Sequence, residues 1–216
     1  MKKQEWMSEQ IYKWAILEEE SRVRTLTRRE EGEPKALIAI KAQHPLNSDG
    51  TPGPEYEARL KKALRVKEDL EKDDLKVEFI TFGGVHEGHK TISLATAGAK
   101  WLRDYGVEAA TIEESPAVFS GNDEDRLAAK KFEQGTYSQL HVVLSAGQWD
   151  RARLYFMLTG WQPEFHPVTF LDTTPNHSIV YELWGERGVP SFAKGPEEVA
   201  RTTGLTTIDH LREATK

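Results

Sequence analysis

Apolar residues in this chain fall into short unbroken runs, separated by longer stretches with helical spacing. Residues 5 to 30 place Met7, Ile11, Trp14 and Ala15 on one face, which predicts a helix. The segment Glu30 to Pro34 breaks it. Ala36 to Ala42 (ALIAIKA) is apolar and uninterrupted, as expected of a strand covered on both faces. Glu55 to Leu70 returns to helical spacing, with Ala58, Leu60, Ala63, Leu64 and Val66 on a broad apolar side. Lys76 to Phe82 predicts a second strand and Lys90 to Tyr105 a helix, with Gly106 where a left-handed residue closes one. Val107 to Ile112 predicts a third strand and Asn122 to Gln134 a helix. His141 to Leu144 predicts a fourth strand, and Trp161 to Phe170 contains a fifth, bounded or interrupted by Pro163 and Pro167.

The most informative stretch is Leu140 to Gly160. A buried strand runs into the tight loop Ser145-Ala146-Gly147, and a helix opens at Asp150 and Arg151. Strand, tight loop and helix form the unit whose loop end holds ligands in open α/β sheets. The alternation predicts a three-layer, Rossmann-like α/β domain with a mostly parallel sheet of about five strands. It spans residues 35–171, after an N-terminal helix (1–34) and before a C-terminal extension (172–216) packed on the same domain. Within the extension, Thr207 to Ala214 predicts a last helix, and Trp184 and Phe192 either lid the pocket or pack. The N-terminal helix is read as packing on the domain or on a second copy in a homodimer; a loosely attached arm stays equally open.

Charge narrows the partners. The 216-residue chain carries a formal net charge of -6. Arg22, Arg24, Arg28 and Arg29 cluster, but Glu18 to Glu20 and Glu30, Glu31 and Glu33 flank them, which reads as a solvated helical face. Nucleic acid is therefore not an expected partner. With no cysteine, disulfides, thiolate metal sites and Cys nucleophiles are excluded. No signal-peptide core and no spanning segment is read, so a cytoplasmic protein without a membrane anchor is expected.

In such a sheet the loops after each strand gather on one edge. After the first strand come His44, Asn47, Asp49 and Gly50, and after the second Gly83, Gly84, His86, Glu87 and His89. After the third come Glu113, Glu114, Ser115, Ser120 and Asn122, and after the fourth Ser145, Gly147, Gln148, Asp150 and Arg151. Gly83-Gly84 is read either as a cradle of free N–H groups for an anion or as an ordinary turn. Arg151, in the first turn of its predicted helix, either binds an anion there or pairs with Asp150. Glu124 and Asp125 suit the start of their own helix. His86, Glu87 and His89 do not make H-E-x-x-H, and no metal site is expected. Ser145 lacks the G-x-S-x-G surroundings of a nucleophile elbow, because Val143 stands where glycine belongs. The dinucleotide and P-loop glycine patterns are absent.

The order of these segments resembles the YdcF/SanA/ElyC family of bacterial α/β proteins. Asp49-Gly50-Thr51-Pro52 is similar to its D-G-x-P loop, and Arg59-Leu60-Lys61-Lys62-Ala63-Leu64 to its R-L-x-x-A-L helix. Phe82-Gly83-Gly84 corresponds to S-G-G, and Ser120 to Arg126 to S-x-T-x-E-N-A. Leu144 to Ala152 corresponds to T-S-x-x-H-x-x-R-A, followed by Gly160. The likeness covers about residues 36 to 170. Gln148 stands where the family has His, Asn122 where it has Thr and Asp125 where it has Asn. An amide does not titrate near neutrality, so Gln148 cannot carry a proton as a histidine does. The chain resembles the soluble, unanchored type, for which the resemblance implies an S-adenosylmethionine-like ligand.

Three functional readings follow. The first is a small-molecule-binding protein with a nucleotide-like or anionic ligand. Gly83 and Gly84 give close backbone contacts, Ser120, Asn122 and Glu124 hold polar groups, and Ser145, Gln148 and Arg151 bind the anionic part. The second is a hydrolase or group transferase acting on a phosphorylated or sugar-linked small molecule. Glu124 or Asp49 then serves as base, and Arg151 stabilises developing negative charge. The third is a non-catalytic envelope or stress accessory protein that acts through partners.

Overall fold

The computed structural model describes residues 2–85, 91–118, 121–145, 148–149, 152–153, 156 and 159–168, with the backbone alone for 2–15, 17 and 122. The calls on His86, His89 and the 172–216 extension, with Trp184 and Phe192, lie outside these residues. The elements are α1 (Lys2–Glu31), β1 (Glu33–Ile40), α2 (Pro54–Lys72), β2 (Lys76–Phe82) and α3 (Leu94–Asp104). They continue with β3 (Ile112–Ser115), α4 (Gly121–Gln134), β4 (Tyr137–Ser145) and β5 (Glu164–Val168). Trp149, Ala152, Arg153, Phe156 and Thr159 are helical, where a helix is expected after β4.

The strands form one five-stranded sheet in the order β3-β2-β1-β4-β5, and every pairing is parallel. This is a three-layer, Rossmann-like α/β fold. Ala36 to Ile40 of β1 are almost wholly buried, as an unbroken apolar run in a central strand requires. Period two sends Ala36, Ile38 and Ile40 to one face, against Tyr56, Leu60 and Ala63 of α2 and Leu94, Trp101 and Leu102 of α3. Leu37 and Ala39 go to the other, against Ala128, Ala129 and Phe132 of α4 and Phe156 and Trp161. The chain winds from β1 out to β3, then returns to the other side of β1 at β4. Strand order therefore reverses between β1 and β4, and ligand crevices of such sheets open at the carboxyl ends beside that reversal.

Several boundaries differ from the sequence reading; β1 starts at Glu33 and β4 at Tyr137, ahead of the expected Ala36 and His141. The third strand is not Val107 to Ile112. Gly106, at φ +87°, closes α3, and Val107 donates its N–H back to Leu102 O at 3.0 Å and packs into the core as part of that helix stop. A short 3-10 turn, Ala109–Thr111, follows, and pairing with β2 starts only where Ile112 meets Phe79. α3 itself starts late, because the Ser93 hydroxyl accepts from Thr96 N at 2.9 Å and caps it.

The carboxyl half of α1 docks on its own chain. Thr25 Oγ1 accepts from Gln162 N at 2.7 Å, the Arg24 guanidinium lies 4.0 Å over the Trp161 ring, and Arg28 donates to the carbonyls of Tyr137 and Gly135. Among the described residues no helix is long and apolar enough to cross a membrane.

Candidate functional site

The carboxyl ends of β1 and β4 are joined by a buried arginine. Arg59, on the second turn of α2, has no exposed surface. Its Nε and one terminal nitrogen donate to Ser145 Oγ at 3.0 and 2.7 Å. The other terminal nitrogen donates to Lys41 O and Ala42 O at 2.9 and 2.8 Å. Gln43 Oε1 and Glu55 Oε1 accept at 2.8 and 2.9 Å. A planar fork of five donors suits such a set, and a lysine would not. Glu55, one helical turn before Arg59, also accepts the Ser145 hydroxyl proton.

On the opposite face, α4 brings two carboxylates to the end of β1. Lys41 is buried and donates from Nζ to Asp125 Oδ1 at 2.6 Å and to Gly121 O at 2.8 Å. Glu124 Oε1 accepts from Ala42 N at 3.0 Å, and its second oxygen stands 3.7 Å from Lys41 Nζ. Both carboxylates are buried, so these contacts supply what water would otherwise give.

Gly83 adjoins the same point. A Cβ on it would lie 2.8 Å from the Cβ of Ala42 and of Leu94, and its φ is +104°, so only glycine fits. Of the two readings of Gly83-Gly84, the free amides of an anion cradle are not there, and the backbone groups are those of a turn. Gly83 N donates to Ser115 O at 3.3 Å and Gly84 N to Val118 O at 3.1 Å. Their carbonyls accept from Ala95 N and Leu94 N at 3.0 and 3.1 Å, which also uses the first amides of α3. The pair is a strand-to-helix junction whose backbone groups are paired within the fold.

Around Ala42 the structure thus gathers Gly83, Glu124 and, through Arg59, Ser145. Gln148, three residues beyond Ser145, is only 8% exposed, and its Oε1 has no hydrogen-bond partner among the described residues. Asp49 stands apart. It is exposed, and its Oδ1 accepts from Thr51 N at 3.0 Å and Thr51 Oγ1 at 2.6 Å, holding an Asx turn. Ser120, Arg151 and the side chain of Asn122 lie outside the described residues.

The chemistry of this arrangement favours binding over nucleophilic attack. Ser145 Oγ accepts twice from a cation and donates to a carboxylate that the same cation holds, so its lone pairs are drawn away from attack. Glu124 is tied to a backbone N–H and faces an ammonium, a poor setting for a general base.

The sequence reading singled out Glu124, Ser145 and Gln148 but missed Lys41, Glu55 and Arg59 as parts of the site. One signal was visible: Lys41 ends an otherwise apolar central run, and a charge there must find a buried partner.

A second polar group lies lower on the sheet. His141 of β4 precedes Ser145 by four residues, about 13 Å along the strand. With Glu164 and His166 of β5 it forms a group of three donors that could hold a metal ion. Burial, with smaller effects from the charges of His166 and Arg29, pushes the His141 pKa down to about 3.

Comparisons with protein-family models, curated proteins and solved structures find no match for this chain.

Proposed function

We propose that this chain binds a small molecule at the carboxyl edge of the sheet, between β1 and β4, as a soluble protein of the YdcF/SanA/ElyC type. The ligand is nucleotide-like or anionic, and S-adenosylmethionine is one candidate. The observation that carries this reading is Gln148, whose buried amide oxygen has no partner among the described residues. A buried amide oxygen without a partner costs about 1–3 kcal/mol, and such groups in native proteins call for an explanation. A ligand hydroxyl or amine that donates to Gln148 Oε1 supplies one. The location supports it too, because the strand order reverses beside this residue. Trp149, 45% exposed, is the flat apolar surface on which a base stacks.

The roles divide by chemistry. Gln148 orients the ligand by hydrogen bonding, and Arg151 neutralises its anionic part. Ser120 and Asn122 hold its polar groups. Arg59, Glu55, Ser145, Lys41 and Glu124 fix the two strand ends between which it sits, and the Gly83-Gly84 junction shapes one wall. No proton carrier is needed for this function, in keeping with an amide where the family has histidine.

A thermal-shift and calorimetric screen with S-adenosylmethionine, ADP and glucose 6-phosphate tests the proposal. At least one probe raises the midpoint of the wild type, because a ligand selective for the native state stabilises it by mass action. Gln148→Met removes that response while leaving the unliganded protein as stable or more stable, since the orphaned acceptor is gone. A probe that binds equally well to Gln148→Met overturns the assignment.

A further inference from the structure

We propose that His141, His166 and Glu164 bind one divalent transition-metal ion of the zinc, cobalt or nickel kind, which clamps edge strand β5 to β4. The site is separate from the carboxyl-edge crevice and does not depend on it.

Register brings the three together. His141 pairs with Glu164 and Val143 with His166, so both β5 residues lie on the same face of the sheet as His141. His141 Nδ1 is 3.0 Å from His166 Nε2. Glu164 oxygens stand 3.9 Å from the first and 3.8 Å from the second. Two ligands each 2.0–2.1 Å from a metal lie about 2.9 Å apart at a right angle and about 3.4 Å apart at the tetrahedral angle. The nitrogens are already at that spacing. Glu164 needs to come in by roughly half an ångström. Its side chain is 53% exposed, and its ion pair with Arg29 is loose at 3.8 Å, so it is free to turn.

Tautomers favour the same reading. Gln139 Oε1 lies 3.0 Å from His141 Nε2, so the amide oxygen accepts that N–H and leaves the Nδ1 lone pair directed at His166. A hydrogen bond that fixes the remote nitrogen is the usual support of a metal-bound histidine. In the metal-free protein, His166 Nε2–H donates to His141 Nδ1. On binding, His166 carries its proton on Nδ1 instead, and the ion takes the place of the shared one. Two imidazoles and one carboxylate suit zinc, cobalt and nickel and leave a position for water. Arg29, which faces Glu164, and Lys62, which acts on His166 from α2, oppose a cation and limit its affinity. Beside the edge strand lies a groove of about 320 Å³ lined by Ala58, Lys61, Lys62, Arg65, Pro167 and Val168, and its three cations weigh against the ion in the same way.

Cobalt titration of tag-free protein, followed by visible ligand-field absorption and calorimetry, tests the site. One ion per chain is expected, and zinc displaces it. His166→Gln abolishes the absorption. Gln139→Leu, which touches no ion, weakens binding about 10–100-fold with an unchanged circular dichroism spectrum. In the wild type, zinc shifts the ring ¹⁵N resonances of His141 Nδ1 and His166 Nε2, a readout that needs no variant. Absence of binding, retention of the ion by His166→Gln, or unmoved ring resonances each overturn the proposal in favour of a plain His–His hydrogen bond.

Discussion

Replacing Arg59 with methionine removes the guanidinium but keeps most of the apolar stem. Five acceptors then lose a hydrogen bond, Ser145 Oγ, Lys41 O, Ala42 O, Gln43 Oε1 and Glu55 Oε1, the last of which keeps the one from the Ser145 hydroxyl. Each buried carbonyl left unsatisfied costs about 1–3 kcal/mol. Glu55 is 23% exposed and recovers part of its hydration, so its share is smaller. Removal of one partner from a buried pair costs about 3–5 kcal/mol as a whole. We therefore expect Arg59→Met to lower the unfolding free energy by about 4 kcal/mol, a large part of the roughly 5–15 kcal/mol of a typical domain. For a chain of this length the midpoint falls by about 6–20 °C. Arg59→Lys keeps the charge but not the fork and loses about 2 kcal/mol. Urea denaturation followed by circular dichroism and tryptophan fluorescence reads both. A loss under about 1 kcal/mol for Arg59→Met would refute the claim that this side chain ties β1 to β4.

Four further outcomes are expected. Lys41→Met leaves Asp125 and Glu124 without their shared cation and costs about 3–5 kcal/mol; Lys41→Met combined with Asp125→Leu is less destabilised than the sum, and additivity in urea melts would remove the coupling. Gly83→Ala costs about 2–4 kcal/mol by adding a Cβ at positive φ between Ala42 and Leu94, and a thermal midpoint like the wild type would contradict it. Burial pushes the Glu78 carboxyl up, but hydrogen bonds from Lys35 and Tyr137 outweigh that and hold its pKa below the usual range; Glu78 thus supports stability above its unfolded pKa and stops doing so as pH falls through its lowered folded value. Glu78→Gln is accordingly less stable than wild type by about 1 kcal/mol at pH 7, and the gap closes in strong acid; a gap that persists there would point to packing. Trp149→Ala weakens a base-containing probe by about 1–3 kcal/mol, and unchanged calorimetric affinity would take Trp149 out of the crevice.

The layered fold was legible because each strand shows as a short apolar run and each helix as a period of 3.6. Lys76–Phe82 falls where the pattern puts it. Val107 misled because an apolar residue that seals a helix stop looks, in one dimension, like the start of a strand. Within the site, the convergence of Gly83, Glu124 and Ser145 on the end of β1 followed from strand-loop-helix order alone. The partners did not. Whether a glycine amide is open depends on carbonyls at Ser115 and Val118, far along the chain, that no local motif encodes. Arg59 stood out only as part of the helical Arg59-Leu60-Lys61-Lys62-Ala63-Leu64 segment, because its acceptors at Lys41, Ala42 and Ser145 meet only when β1 and β4 pair. The histidine pair was hidden for the same reason, since β4 and β5 had to be set in register before His141 met His166.

The crevice itself is tested most directly by amide chemical-shift mapping on ¹⁵N-labelled protein, with whichever of S-adenosylmethionine, ADP or glucose 6-phosphate produces a thermal shift. The account predicts that the largest changes gather at Lys41 to His44 and at Gln148 and Trp149, and that they vanish in Gln148→Met. Changes centred on the Asp49 turn or on α1, or no response to any of the three probes, would contradict it.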